Sequence, residues 1–186
     1  MPAGIGADGA ATAGTDIADL ITSRVRDIPD YPQAGVMFKD ITPLLADGPA
    51  FAAVVAALAD GFADVTKVAG IEARGFILAA PVSIALGAGF VPVRKQGKLP
   101  ASTYAQAYDL EYGTAVLEVH TDAFTADDHV LVVDDVLATG GTAAATAELI
   151  SRAGAKVAGI SVLLELGFLD GRSRLPGLEV TSLLRT

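Results

Sequence analysis

Val130-Leu131-Val132-Val133-Asp134-Asp135-Val136-Leu137-Ala138-Thr139-Gly140-Gly141-Thr142 is the stretch on which the fold turns. Its first four residues are continuously apolar, the composition of a strand buried on both faces of a parallel sheet. Two carboxylates end that strand, a short loop follows, and a helix is expected over 141–153. Gly140 and Gly141 admit backbone angles closed to other residues, so successive N–H groups can converge on one point. The start of the helix adds unpaired N–H groups and the positive end of a dipole. Thr139 and Thr142 add hydroxyl donors. Together these make an anion cradle that needs no lysine.

Outward from that stretch, strands and helices alternate. Strands are expected over 65–71, 90–94, 115–120, 129–134, 155–164 and 180–184, and helices over 16–26, 49–62, 75–86 and 141–153. Such alternation predicts an α/β fold with a central, mainly parallel sheet flanked by helices. In such sheets ligands bind beyond the carboxyl ends of the strands. Residues 28–43 read as irregular because Pro29, Asp30, Pro32, Gly35 and Pro43 punctuate them. Residues 95–111 read as a polar loop. Residues 1–14 are expected to be a flexible tail, and 15–186 a single domain.

Composition narrows the chemistry. The chain is 52% hydrophobic and 19% charged, enough apolar surface for a core. No uninterrupted apolar run is long enough for a bilayer, and the N-terminus lacks the basic start of a signal peptide. With no cysteine, disulfides, thiolate catalysis and Cys-based zinc sites are excluded, and the cytoplasm is the expected location. A net charge of −9 lacks the electrostatic footprint of a nucleic-acid binder. Neither nucleic acid nor membrane is expected as a partner, and any anionic ligand must be held by local features.

Asp134 and Asp135 stand on the rim of the cradle. Adjacent carboxylates repel unless hydroxyls or a cation compensate. A ribose 5-phosphate satisfies both halves, its phosphate on the amides and its vicinal hydroxyls on the carboxylates, with Mg²⁺ nearby to neutralise further charge. Competing phosphate motifs fail. No G-x-x-x-x-G-K-[ST] is present, and Gly4, Gly6 and Gly9 match G-x-G-x-x-G with no strand before them. Arg74 follows a strand and precedes Gly75, a position suited to pairing with a pyrophosphate.

The stretch resembles the phosphoribosyl pyrophosphate (PRPP) motif of type I phosphoribosyltransferases. Four further regions resemble the adenine phosphoribosyltransferases in order: Asp27-Ile28-Pro29-Asp30-Tyr31-Pro32 with Gly35-Val36-Met37-Phe38-Lys39-Asp40-Ile41-Thr42-Pro43; Glu72-Ala73-Arg74-Gly75-Phe76; Val93-Arg94-Lys95-Gln96-Gly97-Lys98-Leu99-Pro100; and Leu110-Glu111-Tyr112-Gly113. The resemblance implies the type I fold with a small N-terminal hood. It implies transfer of phosphoribose from PRPP to adenine in purine salvage, with Mg²⁺ as cofactor held mainly by PRPP and water, and a homodimer.

By the same resemblance, Ala138, Thr139, Gly140, Gly141 and Thr142 hold the 5'-phosphate, Asp134 and Asp135 the ribose, and Ala73 and Arg74 the pyrophosphate. Arg94, Lys95 and Lys98 assist, across a dimer interface. Residues 98–111 are expected to form a mobile lid that shields a reactive sugar from water. Glu111 is the expected acid/base at the purine, and Tyr112 supports the lid. Val36, Met37, Phe38 and Lys39 should bind adenine: a backbone C=O and N–H match its N6 donor and N1 acceptor, and Phe38 stacks on the ring. A 6-oxopurine inverts both signs, leaving two groups mismatched at about 1–3 kcal/mol each. Lys39 stands where an arginine is common in the family, and Gln96 where a proline or basic residue is. Pro81 interrupts a predicted helix. His120 and His129 lack metal-ligand spacing. Two alternatives stay open, a 6-oxopurine enzyme and a non-catalytic PRPP-sensing regulator.

Overall fold

In chain order the elements are α1 (Ala13–Arg24), β1 (Arg26–Pro29), β2 (Met37–Asp40), α2 (Thr42–Ala46), α3 (Gly48–Ala59), β3 (Lys67–Ile71), α4 (Arg74–Leu86), β4 (Gly89–Lys95), β5 (Thr103–Asp109), β6 (Thr114–His120), β7 (His129–Leu137), α5 (Gly141–Arg152), β8 (Lys156–Glu165) and β9 (Val180–Arg185). They come from a computed structural model that describes residues 13–109 and 113–186. The described residues fall into two compact units, one up to Ala53 and one from Val54 onward.

The second unit is built on a seven-stranded sheet in the order β5-β6-β4-β3-β7-β8-β9. Strands β4, β3, β7, β8 and β9 run parallel, while β6 and β5 add antiparallel at one edge. The expected mainly parallel sheet with flanking helices is therefore present. From β3 the chain winds one way to β4, and from β7 the other way to β8. That reversal leaves a crevice at the carboxyl ends of β3 and β7, where open α/β sheets bind ligands.

Alternation along each buried strand sends side chains to opposite faces. Ala69, Ile71, Val91, Val93, Val130, Val132, Ile160 and Val162 form one face, packed with Leu149 and Ile150 of α5. On the other face α4 lies so near β3 that a methyl at Gly70 would stand 2.7 Å from the Ala79 Cβ. Pro81 lies inside α4, and the helix runs on through it to an αL cap at Gly87.

Local structure differs from expectation in several places. Residues 103–109 form a strand where the sequence read as a polar loop. Their alternation is hidden by Ala and Gln, but Tyr104 and Tyr108 both pack against the core, and β6 supplies a full antiparallel partner. Residues 28–43 are not wholly irregular: β1 and β2 pair antiparallel, Ile28 opposite Phe38, and α2 follows with Pro43 early in its first turn. Pro32 and Gly35 fall in the connection between the strands and Pro29 at the very end of β1, so they bound the strands rather than preclude them. The first helix covers Ala13–Arg24, not 16–26, because Arg26 already pairs with Asp40 in β1. Residues 13 and 14 thus belong to that helix, and residues 1–12 lie outside the described residues. Asp47 caps α3. Its carboxylate accepts the Ala50 N–H and its C=O accepts that of Phe51.

Candidate active site

β7 carries its pairing with β8 as far as Leu137, then hands over to Ala138, Thr139 and Gly140. Gly140 has φ +80°, a left-handed conformation that costs a side-chain-bearing residue about 1–2 kcal/mol. That turn aims α5 back along the sheet. α5 starts with no side-chain cap, so the N–H groups of its first turn have no partner within the helix. Thr139 is exposed and Thr142 half-buried, and a small hollow of about 60 Å³ lies among these residues. The expected cradle of Ala138, Thr139, Gly140, Gly141 and Thr142 is one continuous structure.

Asp134 and Asp135 precede it at the end of β7. Asp134 Oδ1 accepts the Asp135 N–H at 2.9 Å, and a methyl at Gly75 would stand 2.7 Å from the same oxygen. Burial, and next the neighbouring Asp135 charge, pushes the Asp134 carboxyl well above the ordinary range. Burial raises Asp135 too, against the pull of Arg74. The Arg74 Nε lies 2.8 Å from Asp135 Oδ2, linking the first residue of α4 to β7 across the crevice. Ala73 is the residue before that helix. Arg74, read from a separate segment of the sequence, is thus brought against the carboxylate pair beside the cradle.

A second cluster forms at the carboxyl ends of β3 and β4. Glu72 accepts from Arg94 Nε at 3.2 Å, Lys98 Nζ at 3.0 Å and the Lys95 N–H at 3.0 Å. Burial pushes this carboxyl up, but the bonds from Lys98, the Lys95 N–H and Arg94 outweigh it and take the pKa down to about 2. Arg94 and Lys98 are thus drawn together by an acid the sequence reading gave no role. Its only signal was a carboxylate directly before Ala73 and Arg74.

In the first unit, Met37, Phe38 and Lys39 lie on β2. A two-stranded sheet leaves one edge of β2 with its N–H and C=O groups directed away from β1. Val36 precedes it, its N–H given to Gln33 and its C=O accepting the Tyr31 N–H. Met37 is exposed; Phe38 is half-buried, edge-on to Tyr31 with centroids 5.1 Å apart. Lys39 Nζ pairs with Asp27 at 2.7 Å, so its charge is engaged within the hairpin. Glu111, with Leu110 and Tyr112, lies outside the described residues.

Among the described residues no cluster of three or more potential ligands could hold a metal. Asp134 and Asp135 offer a carboxylate pair to Mg²⁺, which takes one or two carboxylates and completes its shell with substrate phosphates and water.

Residues 44–176 match the family model described as the phosphoribosyl transferase domain. An adenine phosphoribosyltransferase of Streptomyces coelicolor is 65% identical over 166 residues, 88% of this chain and 91% of its own. The crystal structure of the Rhodothermus marinus enzyme of that name superposes with a TM-score of 0.89 at 47% identity, covering 92% of this chain and 99% of its own. The Saccharomyces cerevisiae enzyme, complexed with an imino-altritol bisphosphate and adenine, gives 0.87 at 35% identity over 91% and 99%. A family model over most of the chain, relatives at this identity and these superpositions agree: the chain belongs to the adenine phosphoribosyltransferases of the phosphoribosyl transferase domain family.

Proposed function

We propose that this chain converts adenine and PRPP to AMP and pyrophosphate, a purine-salvage transfer, and that the residues above divide the work. The observation that carries the residue assignment is the 2.8 Å pairing of Arg74 with Asp135 beside the uncapped start of α5. One crevice thereby offers a phosphate site, a hydroxyl site and a pyrophosphate site in the order in which PRPP presents those groups.

The amides of Thr139, Gly140, Gly141 and Thr142 take the 5'-phosphate, which a helix start favours. Asp134 and Asp135, costly as two buried charges, gain by accepting the ribose hydroxyls and facing the positive charge that develops on the sugar. Arg74 turns its fork to the departing pyrophosphate, and Arg94, Lys95 and Lys98 supply further positive charge. Mg²⁺, held mainly by PRPP and water, would supply charge neutralisation to the pyrophosphate. Met37, Phe38 and Lys39 of β2 read adenine, with Val36 shaping the turn before them, and Glu111 manages the proton of the base. The yeast relative's complex with adenine supports the choice of base.

The chain works as a homodimer in the cytoplasm. Ile77, Pro81 and Ile84 recur along one face of α4, Ile84 81% and Ile77 45% exposed, which suits burial against a second copy. A Mg²⁺-dependent pyrophosphate-release assay with PRPP and a panel of free bases tests the reading. Adenine should be turned over and hypoxanthine hardly at all. Comparable use of hypoxanthine overturns the base assignment, and PRPP binding without turnover on any base restores the non-catalytic alternative.

A further inference from the structure

The cradle does not stand alone. The segment after β8, Gly167–Leu169 followed by Gly171–Arg174, folds back so that two backbones touch. A methyl at Gly171 would run into the Ala138 carbonyl oxygen and stand 3.1 Å from the Gly140 nitrogen. A methyl at Gly140 would run into the Gly171 carbonyl oxygen. Neither position has room for a side chain, so the placement of Gly171 sets the placement of the loop.

Gly171 is in turn held by its neighbour. Arg172 forks onto Glu165, Nε to Oε1 at 2.8 Å and Nη2 to Oε2 at 2.7 Å, and its Nη1 donates to the Val180 C=O at 2.7 Å. The Glu165 side chain is only 3% exposed, and it also accepts from Ser182 and pairs with Arg185. Glu165 lies opposite Leu137 in the β7–β8 register, and the Leu166 N–H donates to the Leu137 C=O. One buried carboxylate therefore ties the turn carrying Gly171 to the strand end from which the cradle departs. A bidentate pair of this kind fixes direction as well as distance.

We propose that Arg172 and Glu165 are positioning residues for the 5'-phosphate, acting through Gly171 on the backbone of Ala138 and Gly140; this rests on the reading of residues 138–142 as the phosphate holder. Neither side chain need touch substrate. The fork seats Gly171, Gly171 seats the loop, and the loop aims its amides. Because a charge-assisted bond is sensitive to aim, misplacing the loop enough to lose one costs about tenfold in affinity for a phosphorylated ligand. A ligand without the phosphate is indifferent to it.

The test compares wild type with Arg172→Lys, which keeps the charge and loses the fork, and Gly171→Ala. AMP dissociation constants are measured by calorimetry, KM for PRPP and for adenine by steady-state kinetics, and folding by urea midpoints. In Arg172→Lys, AMP affinity should fall and KM for PRPP rise by about tenfold, while KM for adenine stays within about twofold. Gly171→Ala, if folded, should do the same more strongly; if it unfolds, the Arg172→Lys result decides. Unchanged AMP affinity in Arg172→Lys, with wild type binding AMP, overturns the positioning role and leaves the phosphate site standing. Equal losses for both substrates also overturn it, assigning the pair to general stability. Wild type that fails to bind AMP removes the phosphate reading and this inference together.

Discussion

Replacing Glu72 by glutamine should destabilise the fold at neutral pH and much less in acid. Glu72 has 9% of its side chain exposed and meets two cations and one backbone amide. Its carboxyl falls from 4.5 to about 2 in the folded chain. A lowered carboxylate pKa contributes stability that is fully present above the unfolded value and is lost as pH falls through the folded one. The whole shift corresponds to about 3 kcal/mol. Lys98 is 51% exposed and Arg94 32%, so solvent screening brings the expected contribution to about 2 kcal/mol. Glutamine keeps an acceptor for the Lys95 N–H but leaves the two cations facing each other without a counter-charge. Urea unfolding at pH 7 should show Glu72→Gln less stable by about 2 kcal/mol, and at pH 3.5 by about 1 kcal/mol, since the carboxyl is then mostly protonated in the unfolded wild type while still charged in the folded one. Equal stability at pH 7, or a gap that widens on acidification, refutes the reasoning.

Asp134→Asn should stabilise the unliganded fold while slowing transfer by about a hundredfold or more. A raised carboxyl pKa means that wild type loses stability as pH rises through the folded value, and asparagine removes that loss. Urea midpoints at pH 7 beside turnover rates check it, and a destabilised Asn variant with normal rates would contradict both halves. Glu111→Ala should lower kcat by about 10²–10⁴ with little change in PRPP affinity, measured by steady-state kinetics and calorimetry. Ile84→Asp should convert a dimer into a monomer of 18.8 kDa by light scattering, and an unaltered mass removes the α4 face from the interface.

The alternation of strands and helices, and the strand–carboxylate–glycine–helix stretch, were legible in the sequence because they depend on neighbours along the chain. An apolar run, a positive-φ glycine and an uncapped helix start are local properties. The strand at residues 103–109 was not legible, since Ala105, Gln106 and Ala107 carry little β preference and their pairing with β6 is decided by tertiary packing. The same holds for Glu72 and its two cations, and for Gly171 lying against Gly140. These partners stand 22, 26 and 31 positions apart, and no spacing rule joins them. The sequence determined which groups could bind a sugar phosphate. The tertiary structure decided which of them meet, because the parallel sheet brings the ends of β3, β4 and β7 to one edge and folds the turn after β8 against the loop beside them.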